Sequence, residues 1–471
     1  MSPTRALLRP SAITTWDPEN ASFWDTQGRR VANRNMWTSV FTEHIGFCVW
    51  SLWSVLVLFM SKKTGYALSA GDKFLLASIV TLVGSAVRPF YGYAVTRLGG
   101  RTWTTISAIV LLVPVIGATV LMGYPEAPFA AFVACAAVSG IGGGSFASST
   151  TNINFFFPQK EKGRALGINA GAGNLGVATV QLLGLLVIAT AGITQPRLLA
   201  VIFVPLLVLA AAIAYLKMDN LPGMRTGGAD YAKALKDPYT WTISLLYIGT
   251  FGSFIGYSFA FGLVLASDFG RTPLQAASVT FIGPLIGSLI RPYGGHLADR
   301  FGAPRITLIS FAGLAVGTAL AVAASAAHSL PLFTVVFVVL FALSGLGNGA
   351  TYAMIPLPYA AIAERAIAEG ADAGSERLAA RRKAGAVIAI AGTFGGLGGV
   401  AINLAFRESY ASAHNARPAL LGFLVFYAVC VAVTAYARRR AQAGAPSRVP
   451  AASARGATPP DPPGDQAGEA A

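Results

Sequence analysis

GSAVRPFYGYAVTRLG, residues 84–99, and GSLIRPYGGHLADRFG, residues 287–302, are two copies of one segment. Gly, Ser, Arg, Pro, Gly, Arg and Gly recur in register 203 positions apart. Each copy sits in an apolar stretch, and twelve such stretches follow one another along the 471 residues. About 20 apolar residues suffice to cross the hydrocarbon core of a bilayer. Apolar residues make up 54% of the chain and charged ones 12%, about half the charged share of a soluble domain. The repeat therefore joins two related sets of six spans. The predicted fold class is an all-α membrane protein of 12 transmembrane helices in two six-helix halves.

The expected organisation runs from an N-terminal segment (1–36) to a first half (37–216), a central loop (217–239), a second half (240–437) and a disordered tail (438–471). The tail is rich in Ala, Pro and Gly and has no periodicity. The first 36 residues hold no apolar stretch, so no cleaved signal peptide is expected. With both ends inside, 26 of the 35 Lys and Arg fall in cytoplasmic segments and seven in outer loops. That asymmetry predicts an N-in, C-in protein of the cytoplasmic (inner) membrane. It also explains the net charge of +15 without nucleic acid. Cys48, Cys135 and Cys430 lie in spans with no metal-ligand or CxxC spacing and read as small core residues. No catalytic constellation and no cofactor motif is present, so transport rather than enzymatic chemistry is expected, with the lipid bilayer as surroundings.

The two remaining basic residues, Arg88 and Arg291, lie within spans at matching places of the repeat. A charge at mid-membrane costs at least about 2.5 kcal/mol. A structural ion pair with buried carboxylates is the plain alternative. Of the 20 acidic residues, however, only Glu43 falls clearly within a span, about two turns into the first. Two cations face at most one anion, and the missing charge is assigned to the substrate. A guanidinium is flat, permanently charged and forked, which suits a small planar oxyanion. Each arginine precedes a proline, Pro89 or Pro292, which favours a kink.

The fifth span reads GRALGINAGAGNLGVATVQLLG (163–184) and the eleventh AGAVIAIAGTFGGLGGVAIN (384–403). Gly167/Gly171 and Gly395/Gly399 have the spacing of close helix packing. Glycine this dense also bares backbone to a small ligand, so Gly171 and Gly395 are candidate lining positions as well as packing ones.

These runs, NAGAGNLG (169–176) and AGTFGGLGG (391–399), together with the paired RP arginines, resemble the nitrate/nitrite porter (NarK-like) family of the major facilitator superfamily. SFASSTTNINFFFP (145–158) and LLYIGTFGSFIGYSFAF (245–261) resemble it too, and ADRFG (298–302) is similar to the superfamily's loop signature. The first copy of that loop, TRLGGR (96–101), lacks the aspartate. The resemblance covers roughly residues 16–437 and implies transport of nitrate and nitrite by alternating access. It implies that Arg88 and Arg291 hold the anion, that Asn174 donates to it, and that Phe146, Tyr247 and Phe251 wall the site. From the residues alone those aromatics are equally core packing, and the arginines equally fit another small anion.

Coupling is read from FTEHIGFCVWSLWSV (41–55). Glu43 and His44 are either solvated near the cytoplasmic end of the span or titratable groups near the path. An EH pair in span one resembles the proton-coupled branch of the family; the exchanger branch has apolar residues there. The expectation is nitrate/proton symport, with nitrate/nitrite antiport as the alternative.

Overall fold

The computed structural model describes residues 13–221 and 228–443. Among the described residues, twelve helices are long and apolar enough to cross a membrane. They are α1 (Ala21–Phe59), α2 (Ala70–Leu98), α3 (Gly100–Leu121), α4 (Phe129–Phe156), α5 (Lys160–Ala191) and α6 (Pro196–Lys217). The second set is α7 (Pro238–Asp268), α8 (Pro273–Phe301), α9 (Ala303–Ala326), α10 (Leu330–Ala368), α11 (Ala373–Ala413) and α12 (Arg417–Ala443). The expected tail starts six residues too early, because α12 stays helical through Ala443; the rest of it lies outside the described residues.

The repeat reaches down to the helix caps. Ser69 and Asp72 form a capping box at the start of α2, and Thr272 and Gln275 form one at the start of α8. Each satisfies main-chain donors that the first helical turn leaves open. Across the halves, α2 packs on α11 and α5 on α8.

The first helix starts at Ala21, not near residue 37. Its leading turns are too polar for a hydropathy window. Tertiary packing makes them helical instead: Trp24, Ala32 and Met36 are buried in a small core with Phe156 and Phe157. Trp16 joins edge-on to Phe23 and Phe156. Glu43 is therefore deep in a long helix rather than two turns from its start. The prolines differ from expectation in one copy. In α2 the helix breaks at Val87, just before Arg88. In α8 it breaks at Phe281 and runs unbroken through Pro292. The Pro292 ring has a place to lie, since Gly171 of α5 faces it: a Cβ there would be 3.4 Å from Pro292 Cγ.

Two irregular turns flank the molecular centre. Gly140–Gly144 of α4 is a 3₁₀ turn and Ile248–Gly252 of α7 a π turn. The glycines of the 3₁₀ turn allow backbone-close packing that no other residue permits. A Cβ on Gly142 would lie 2.4 Å from the carbonyl oxygen of Gly46, and one on Gly143 2.8 Å from the Trp50 ring. Such local departures from α geometry cluster at functional sites.

Candidate functional site

One large cavity of about 1240 Å³ enters between the halves and ends at Arg88, Phe146 and Arg291. Its mouth lies at the end of the bundle that carries the N-terminal segment and the start of α11. Arg381 pairs there with Glu19 at 2.9 Å and Arg377 with Glu364 at 2.9 Å. Lys162, Arg164 and Arg382 also line the passage. Beyond the arginines the halves meet and close the path. Gln181 Nε2 donates to the Ser258 carbonyl at 2.8 Å. Phe74 stacks on Phe406 and Tyr410 at 5.7 and 5.4 Å. The cavity is thus open at one end only.

Both arginines are buried, at 1% and 4% exposure, yet among the described residues neither makes an ion pair. Their partners are neutral. Arg88 Nη1 donates to the Gly392 carbonyl at 2.7 Å and Nε to that of Gly143 at 3.3 Å. Arg291 Nη1 donates to the Ala170 carbonyl at 3.4 Å and Nη2 to the Tyr247 hydroxyl at 3.2 Å. Each arginine thereby reaches across the cleft to the Gly-rich helix of the opposite half: Arg88 of α2 to α11, Arg291 of α8 to α5. Among the described residues Arg88 Nη2 has no hydrogen-bond partner.

Aromatic faces supply the rest of the environment. Phe146 lies between the two charges, its ring centre 5.4 Å from Arg88 Cζ and 5.7 Å from Arg291 Cζ. Trp50 and Phe251 face Arg88 at 5.5 and 4.9 Å, and Tyr352 faces Arg291 at 5.8 Å. A desolvated cation over a ring gains roughly 0.5–2 kcal/mol. That is less than the cost of burying an unpaired charge, which is several kcal/mol. The site keeps unsatisfied positive charge facing the cavity, and an anion is what would neutralise it.

Five expected residues therefore form one constellation: Arg88, Arg291, Phe146, Tyr247 and Phe251. The last two stack at 5.3 Å. Asn174 is buried, and neither amide atom has a hydrogen-bond partner among the described residues. It lies one turn beyond Ala170 on the face of α5 that presents Gly163, Gly167 and Ala170 to the cavity, just past the cavity's end. Gly171 and Gly395 are not among the residues that line the cavity. Gly171 receives Pro292, while a Cβ on Gly395 would meet Tyr247 Cδ1 at 2.5 Å and Phe251 Cδ1 at 3.2 Å. The glycines that do line the passage include Gly163, Gly167 and Gly392. Gly167 has open space around it, so Gly167/Gly171 is not a packing pair.

Glu43 is 1% exposed, which rules out the solvated reading for it. Its Oε2 accepts a hydrogen bond from the Ser149 hydroxyl, which in turn accepts from Asn169 Nδ2 at 2.9 Å. A Cβ on Gly173 would lie 1.9 Å from Glu43 Oε1, so that glycine makes room for the carboxylate. His44 points elsewhere, its Nδ1 2.9 Å from the Ala172 carbonyl oxygen. Adjacent in sequence, the two side chains leave the helix about 100° apart and do not meet.

Sequence reasoning missed Trp50, Tyr352, Ser149, Asn169 and the accepting carbonyls. For one of these carbonyls, that of Gly143, a signal was present: GIGGG at 140–144 recurs as GLGNG at 345–349.

Comparison with known proteins bears on the family and the fold. Residues 44–403 match the model of the Major Facilitator Superfamily. The nitrate/nitrite transporter NarU of Salmonella typhimurium is 37% identical over 450 residues, covering 91% of this chain and 96% of that protein. NarU of Escherichia coli is 34% identical, with 93% and 97% covered. A Thermus thermophilus protein named a probable nitrate/nitrite antiporter, NarK2, is 32% identical, with 73% and 82% covered. Among solved structures, a bacterial homologue of the lysosomal transporter Spinster, inward-facing, superposes with a TM-score of 0.63 at 15% identity, covering 86% of this chain and 96% of that one.

Proposed function

The chain belongs to the Major Facilitator Superfamily and, within it, to the nitrate/nitrite porters, and on that premise we propose that it carries nitrate and nitrite across the cytoplasmic membrane by clamping the anion between Arg88 and Arg291. The observation that carries this reading is the pair of buried guanidiniums, 1% and 4% exposed, at the blind end of the cavity with only neutral hydrogen-bond partners.

The mechanism follows from where those bonds go. Each arginine is held by a carbonyl of the opposite half. An oxyanion entering between them takes over N–H donors now given to carbonyls, and a charge-assisted bond is about twice as strong as a neutral one. It also removes the mutual repulsion of the two cations. The loaded site can then draw the halves together at the open end while the sealed end parts. Asn174, unpartnered one turn further along α5, is placed to receive the anion as the path opens beyond the arginines. With the N-terminal segment and the α11 loop in the cytoplasm, as the charge asymmetry favours, the cavity faces inward.

Coupling is assigned to Glu43, buried, bonded to Ser149 and linked through Asn169 to Thr150 on the cavity wall. A carboxylate there is neutral when it holds a proton and charged when it gives one up, so it can carry one proton per cycle with the nitrate. Exchange of nitrate for nitrite is the second reading. It is favoured by the two uncompensated arginines, which oppose closure of an empty carrier.

Nitrate flux in proteoliposomes tests both. Arg88→Lys and Arg291→Lys should each abolish it, because one ammonium cannot hold a carbonyl and fork an anion. Near-normal flux in either variant refutes the clamp. Symport requires luminal acidification with nitrate entry, lost in Glu43→Gln. Flux without a pH change, accelerated by nitrite on the far side, decides for exchange.

A further inference from the structure

A second polar pocket lies inside the first six helices and shares no wall residue with the central cavity. Its volume is about 10 Å³, room for one atom-sized occupant. Its wall includes Thr42 and Glu43 of α1, Thr104 and Ser107 of α3, and Ser148 and Ser149 of α4. All six are buried. Grouping hydroxyls and a carboxylate in the interior of a membrane bundle is costly unless something satisfies them.

The hydrogen bonds show what kind of partner is wanted. Thr42 Oγ1 donates to the Thr38 carbonyl at 3.0 Å, Ser107 Oγ to that of Trp103 at 2.8 Å, and Ser148 Oγ to that of Ser145 at 3.1 Å. Ser149 donates to Glu43. With these protons committed, the hydroxyls have lone pairs left to offer. Among the described residues, no Lys, Arg or His lines the pocket, and Glu43 Oε1 has no hydrogen-bond partner. The wall is rich in oxygen acceptors and carries a single potential negative charge. A water would meet the acceptors alone, whereas a hard cation also meets the carboxylate at the pocket itself. Divalent Ca²⁺ takes 6–8 oxygens, and Mg²⁺ keeps several waters of its own, for which this volume has no room.

We propose that this pocket is a monovalent cation site of Na⁺ size, with Glu43 and the surrounding hydroxyls as ligands. The site connects to the anion cavity through two side chains. Asn169 Nδ2 reaches both Ser149 Oγ, at 2.9 Å, and Thr150 Oγ1, at 3.4 Å. A cation drawing on Ser149 and Glu43 would therefore be felt at the cavity wall. Na⁺ and a proton would be alternative occupants of one carboxylate.

The test uses the purified full-length protein in detergent, without nitrate. Thermal unfolding is followed against NaCl, KCl and choline chloride at matched ionic strength. Na⁺ should raise Tm saturably, by about 3 °C near saturation, and K⁺ and choline should not. Ser107→Ala and Ser148→Ala should each raise the half-saturating Na⁺ concentration at least about tenfold, the loss of one polar ligand. Thr104→Ser, which keeps its oxygen, should retain the response. Direct ²²Na⁺ binding to the same proteins gives a readout independent of stability. Superimposable curves for the three salts, or alanine variants with the parent Na⁺ response, overturn the assignment. Loss of nitrate binding in the parent protein with the Na⁺ response intact would sink the nitrate reading alone.

Discussion

Replacing Tyr247 by Phe removes one hydroxyl from a buried site and leaves its ring. The hydroxyl lies 3.2 Å from Arg291 Nη2. The ring stacks on Phe251 at 5.3 Å and packs against Gly395. Tyr247→Phe keeps both contacts, so the fold is preserved and the change is confined to the orientation of Arg291. A hydrogen bond to a charged group contributes about 1.5–3 kcal/mol, or roughly 10- to 100-fold in a binding constant. Arg291 lines the cavity, and water can replace part of what is lost, so the lower end applies. The expected result is an increase of about tenfold in the KM for nitrate influx into proteoliposomes, at 1.4 kcal/mol per decade. A matching loss of nitrate affinity is expected in direct binding to the purified protein. The melting temperature should stay close to that of the parent. Parent-like KM and affinity would refute the idea that Tyr247 orients the guanidinium for the anion.

Three other outcomes are expected. Gly395→Ala places a methyl 2.5 Å from the Tyr247 ring and should cost about 1–3 kcal/mol by overpacking, read as a lower Tm together with weaker nitrate binding. Gly173→Ala drives a Cβ to within 1.9 Å of Glu43 Oε1. It should disrupt coupling, measured as luminal pH change per nitrate, more than nitrate affinity; unchanged coupling would count against Glu43. Asp237, outside the membrane spans, gives a pH test of stability. Burial raises its pKa, but the hydrogen bonds from Lys383, the Tyr239 main chain and the Tyr359 hydroxyl outweigh it, and the net direction is down. A depressed carboxylate stabilises the fold above its unfolded pKa of about 3.9 and loses that contribution as pH falls through the folded value. Asp237→Asn should therefore lower Tm at neutral pH and converge on the parent in acid.

The electrostatics of the site rests on a mismatch between charge and compensation. Carbonyl oxygens, a tyrosine hydroxyl and aromatic faces surround two guanidiniums where a stable protein would ordinarily place carboxylates. Glu43, the carboxylate that the sequence puts in the same region, is instead engaged with Ser149. The guanidiniums and the carboxylate thus belong to separate hydrogen-bond networks.

The sequence by itself determined the number and period of the spans, the kinship of the halves, and the two arginines. Hydrophobic thickness sets the length of a span, and an uncompensated charge in lipid has few uses, so composition and spacing are enough to read these features. The resemblance of the Gly-rich runs added the substrate class. What only the tertiary structure decided depends on which residues meet across the bundle. Helical α1 begins at Ala21 because Trp24 and Met36 find Phe156 and Phe157, residues far away in the chain. Gly395 falls behind the site rather than on its wall because Tyr247 needs its volume. Glu43 and His44, adjacent in sequence, part company because a helix turns about 100° per residue. Each arginine bonds to the opposite half because its helix packs there, α2 on α11 and α8 on α5. No linear pattern encodes that packing.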